Sequence, residues 1–122
     1  MVTENQLVQT LEAIEKDASG FIAASLVDLE SGMTLAVKTS RTDFDLTAAS
    51  AYNSELVKQK LKIMGALNIN GGIQDMLISL DDQIHLIKMV NPTTFLYLAV
   101  DKAQSNLAIV RMAVNKHISQ IS

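Results

Sequence analysis

A chain of 122 residues with 48% hydrophobic and 19% charged residues and a single proline has the composition of one packed globule, and 122 residues lie below the length at which cores divide. Its formal net charge of −3, with no concentration of Lys and Arg, argues against nucleic-acid binding through phosphate neutralisation; the absence of cysteine excludes disulfides, thiolate catalysis and Cys-based zinc sites. No basic segment precedes an apolar stretch at the N-terminus and no run of about 18 apolar residues occurs, so the expectation is a cytoplasmic protein without membrane insertion.

Along the chain, Leu7, Leu11, Ile14 and Ala18 recur at helical spacing, and Thr3 with Gln6 forms a capping-box pattern, which predicts a first helix ended by Gly20. Phe21 to Val27 is an apolar run closed by Asp28 and the turn signal Glu30-Ser31-Gly32. Met33, Leu35 and Val37 then alternate with Thr34 and Ala36 as the second arm of a hairpin. A polar loop from Thr39 to Asp45 leads to a long helix from Leu46 to Leu67, with Asp45 as N-cap and Asn68-Ile69-Asn70-Gly71-Gly72 as its end.

Three strands are predicted next: Ile73 to Leu80, Gln83 to Val90 and Thr94 to Val100, turning at Asp81-Asp82 and at Asn91-Pro92-Thr93. Asp101 is a candidate cap for a last helix carrying Leu107, Val110, Val114, Ile118 and Ile121. The order is αββαβββα. Most strands are apolar on both faces, as in Phe95 and Tyr97 against Leu96 and Leu98, so the fold class is α/β, a single antiparallel sheet between helices.

The second helix is the most informative element. At about 100° per residue, Ala49, Tyr52, Leu56, Ile63 and Leu67 share one sector, while Leu46, Val57, Leu61 and Met64 share another, with Asn53 and Lys60 between them. Together they are wider than the stripe a surface helix needs. One sector is expected to cover the sheet and the other to form an apolar ridge that needs a partner; the alternative is a helix buried more deeply in its own core.

The order αββαβββα, the stretch Gly20-Phe21-Ile22-Ala23-Ala24-Ser25-Leu26-Val27-Asp28 with Gly32, and Leu98-Ala99-Val100 followed by Asn106-Leu107 and Arg111 resemble the roadblock / dynein light chain family across nearly the whole chain. Gly32 matches the family's hairpin glycine, whereas Ala108 stands where a second glycine is common. The resemblance implies one domain over residues 1–122, with a five-stranded antiparallel sheet of profilin-like topology, the second helix on one face and the terminal helices on the other. It also implies a homodimer paired through the second helix and third strand, for which Tyr52, Leu56, Lys60, Ile63, Leu67, Ile73 and Asp75 are the candidate interface residues. Members bind and regulate small Ras-like GTPases or serve as adaptor subunits, so a GTPase partner and no cofactor are expected.

Enzymatic readings find no support in the residues. His85 and His117 are separated by a strand and a helix, and neither has partners for a triad or a metal site. Asn70-Gly71-Gly72 lacks the Lys and Ser or Thr of a P-loop and precedes a strand. Asp81-Asp82 is expected at a solvated hairpin tip. Most of the methionines, which include Met64, Met76, Met89 and Met112, fall in phase with other apolar residues, so a core role is expected for them over a partner-binding surface. A scaffold subunit and a small-molecule sensor are the remaining alternatives.

Overall fold

The computed structural model describes residues 2–122. Its elements are α1 (Glu4–Asp17), β1 (Phe21–Asp28), β2 (Thr34–Thr39), α2 (Leu46–Ala66), β3 (Asp75–Ser79), β4 (Gln83–Asn91), β5 (Thr94–Asp101) and α3 (Leu107–Ile118). All strands join one antiparallel sheet in the order β2-β1-β5-β4-β3. This is the fold class expected from the sequence.

The central strands explain the two-sided apolar pattern. In β5, Phe95, Tyr97 and Ala99 meet α2 on one face, while Leu96, Leu98 and Val100 meet the layer of α1 and α3 on the other. The second layer combines Leu11 and Ile14 of α1 with Val110, Val114 and Ile118 of α3. The carboxylate of Asp17 and Nε2 of the buried His117 lie 2.7 Å apart, tying the ends of α1 and α3 together. This gives His117 a structural role.

Local chemistry sets most boundaries. The Thr3–Gln6 capping box opens α1, and the Asp45 side chain accepts from the Ala48 amide at the start of α2. The end of α2 is a Schellman motif: the Ile69 amide donates to the Met64 carbonyl and the Asn68 amide to the Gly65 carbonyl, with Asn68 at φ 57°.

Two expected boundaries are corrected. The last helix is capped by Asn106, whose side chain accepts from the Ile109 amide, and not by Asp101. Asp101 ends β5 and its carboxylate closes the following turn on the Gln104 amide. The third strand begins at Asp75, opposite Lys88, and not at Ile73; before it the Met89 amide donates to the Gln74 carbonyl, so Ile73 remains in the linker.

Candidate interaction surface

Small residues determine where α2 sits. Ser50 Oγ and Ser25 Oγ of β1 are 2.8 Å apart in a buried contact, and Ser54 Oγ donates to the Leu29 carbonyl. Gly32, at φ 75°, faces Ala51, whose Cα would lie 3.4 Å from a Cβ built on that glycine. Lys58 Nζ donates to the Glu30 carbonyl at the same hairpin turn. These contacts hold α2 over β1 and the β1–β2 turn.

The opposite flank of α2 therefore stands free. Val57 is 0% exposed and Met64 9%, so with Leu46 they form the sheet-facing sector. Tyr52 is 77% exposed, Leu67 64%, Ile63 40% and Leu56 38%, which makes their sector the ridge. At about 100° per residue this ridge lies roughly opposite Ala51 and Lys58, so it looks away from the hairpin turn. Lys60, also exposed, borders it.

The strand that follows α2 lies at one edge of the sheet. β3 is one of the two edge strands, the other being β2, and among the described residues it pairs with β4 alone. Met76 of β3 and Met89 of β4 are only partly buried against the α2-side core. Leu61 has the phase of the sheet-facing sector but remains exposed, because it looks into an apolar groove of about 430 Å³ lined also by Gly72, Ile73, Met89, Asn91 and Pro92. The groove thus joins α2 at Leu61 to the linker and to the end of β4.

The candidate residues divide accordingly. Tyr52, Leu56, Ile63 and Leu67 come together as the ridge with Lys60 at its border, and Ile73 lies in the neighbouring groove on the linker. Asp75 is separated from them. It precedes Met76 by one residue, so strand alternation turns it to the opposite face, where its carboxylate lies 3.4 Å from Arg111 of α3. Met76, Met89 and Leu61 were missing from the expected set; the period of two in β3 and β4 was the available signal for the methionines.

A polar cluster completes this face. Gln83 Oε1 lies 2.7 Å from His85 Nε2, and His85 Nδ1 lies 3.2 Å from the Tyr97 hydroxyl. The amide oxygen can only accept, so Nε2 carries the proton and Nδ1 accepts from Tyr97, leaving a neutral ring satisfied at both nitrogens. Phe44, immediately before the Asp45 cap, stands 6.4 Å from the His85 ring in edge geometry. Burial pushes the His85 imidazole below its ordinary value and the Tyr97 hydroxyl up to about 12. The cluster stabilises the neutral ring.

Among the described residues no helix is long and apolar enough to cross a membrane. No family model and no curated protein matches the chain. Solved structures are similar in shape at low identity. MglB of Myxococcus xanthus superimposes with a TM-score of 0.88 at 15% identity, covering 99% of this chain and 90% of that one. A roadblock/LC7 domain from Streptomyces avermitilis gives 0.83 at 13% identity, over 94% and 93%. Profilin IA of Acanthamoeba castellanii gives 0.62 at 10% identity, over 97% and 94%. Two terminal helices on one face, one long helix on the other and the strand order between them are the arrangement these proteins share with it, and the chain has the roadblock/LC7 fold.

Proposed function

We propose that the chain is a non-catalytic regulatory module that forms a twofold homodimer and binds a small Ras-like GTPase or its signalling complex. The observation that carries this reading is the exposed apolar ridge of α2, in a chain whose β3 stands at an edge of the sheet. A ridge of Tyr, Leu and Ile without cover in a single copy favours a partner, and one isologous contact satisfies ridge and edge together. The α2 helices would pack side by side while the β3 edges pair antiparallel, making one continuous sheet. Tyr52 suits such a surface because it combines apolar area with a hydroxyl that tolerates a wet rim.

The fold resemblance supports a GTPase partner; His85 and His117 both hold structural positions, and Asp81 and Asp82 stand exposed at the β3–β4 turn. Affinity capture from the source cell, in GDP and in a GTP analogue, tests it. A Ras-like GTPase retained in a nucleotide-dependent way supports regulation. Retention regardless of nucleotide would favour a scaffold, and saturable binding of GTP by the purified chain alone would sink the reading.

A further inference from the structure

We propose that Asn70, in the linker between α2 and β3, is a site of spontaneous covalent modification, deamidated through a cyclic imide with the Gly71 amide nitrogen as nucleophile. The nitrogen attacks the Asn70 Cγ carbonyl; a C–N bond forms, the Cγ–Nδ2 bond breaks, and the displaced amide nitrogen leaves as ammonia with the proton that Gly71 gives up. Water then opens the five-membered imide at either carbonyl and yields aspartate or isoaspartate. No atom changes oxidation state, and water is the only co-reactant.

The reaction needs a free backbone nitrogen after the asparagine and a chain able to fold that nitrogen onto the side chain. Both conditions meet at this position. Asn70 and Gly71 are exposed, and among the described residues the Gly71 amide donates to no backbone acceptor. Gly71 lies at φ 96° with open space where a side chain would stand, so no side chain of its own and no packed neighbour at that position crowds the linker.

The other asparagines are protected individually. The amide after Asn5 donates to the Thr3 hydroxyl, and the amide after Asn68 donates to the Met64 carbonyl in the Schellman motif. Asn53 and Asn115 lie inside α2 and α3, where the following amides belong to the helical ladder. Asn91 precedes Pro92, which has no N–H, and its Oδ1 accepts from Thr93. Asn106 is held as the cap of α3 and is followed by the bulky Leu107.

The product matters because of its location. Gly72, two residues on, lines the groove with Leu61 and Ile73. Conversion adds a negative charge to the linker that connects α2 to β3, and the isoaspartate form adds a methylene to its backbone. The expected weakening of self-association rests on the proposed homodimer; the chemistry does not.

The test ages the purified full chain in mildly alkaline buffer at physiological temperature beside an Asn70→Gln variant. Peptide mapping by mass spectrometry follows each asparagine, enzymatic methylation detects isoaspartate, and sedimentation follows assembly in the same samples. The expected result is loss of the Asn70 amide ahead of every other asparagine, with isoaspartate in that peptide and none in Asn70→Gln. Retention of the Asn70 amide, alone or with all the others, overturns the proposal. Progressive dissociation of the wild type but not the variant supports the effect on assembly, and full conversion with unchanged sedimentation overturns that effect while leaving the chemistry standing. A fresh sample that is already monomeric counts against the homodimer and not against the modification.

Discussion

His85 shows how a single position couples burial to pH. Its folded-state value lies below the ordinary 6.5 because burial disfavours the charged ring, and protonating Nδ1 would also remove the acceptor that Tyr97 uses. The folded protein then binds fewer protons than the unfolded chain, so this contribution is complete above about 6.5 and is lost as the pH falls from there towards the folded-state value. Melting temperature measured against pH should therefore decline more steeply below that point for the wild type than for His85→Gln; equal slopes would remove His85 as the cause. Ser25 and Ser50 make a second residue-scale case. Ser50→Ala leaves the Ser25 hydroxyl buried without its partner and should cost about 1–3 kcal/mol in urea unfolding, whereas removing both hydroxyls should cost less than the single change. A double variant as unstable as the sum of the singles would show that the pair is not coupled.

At the scale of the element, α2 is a helix whose two ends obey local rules and whose middle answers to its neighbours. Asp45 starts it and the Asn68 Schellman turn stops it, both by hydrogen bonds within a few residues. Gly65, inside the last turn, is not required by packing: it has helical backbone and nothing near a built Cβ. Gly65→Ala should stabilise the protein by about 0.5–1 kcal/mol, read as a rise in melting temperature, by reducing the freedom of the unfolded chain. Its position on the flank away from the ridge means sedimentation should not change. A fall in stability would imply that the glycine serves a close contact formed only in an assembly.

For the whole molecule the decisive difference lies between the two apolar sectors of α2. Val57 is fully buried against the sheet, so Val57→Glu places a carboxylate in the core and should leave the chain unfolded by circular dichroism. Ile63 stands on the exposed ridge, where Ile63→Glu should preserve the fold but, by desolvation and by repulsion across a twofold axis, yield a species of half the wild-type mass in light scattering. Leu61→Glu, in the groove, should also keep the fold. Ile63→Glu and Leu61→Glu that both remain native dimers would remove this face from the interface.

Much of the architecture was legible without coordinates because it depends on short-range rules. Alternation of two separated the faces of β4 and β5, helical phase separated two sectors of α2, and the caps at Thr3 and Asp45 follow from side chains that reach amides three residues away. Asp101 misled because it has the chemistry of a cap at the end of a strand, and only the path of the chain after Gln104 decides that Asn106 occupies that role. Which sector of α2 meets the sheet could not be read from phase, since both are apolar. The buried serines and Gly32 decided it by drawing one flank onto β1 and the hairpin turn, a contact between residues far apart in sequence. The same holds for Asp75, whose face is determined by the register of β3 on β4 and whose ion pair with Arg111 exists only because α3 returns beneath that edge. Local hydrogen bonding and periodicity belong to the sequence; the choice between two equally apolar faces belongs to tertiary contact, where steric fit selects one of them.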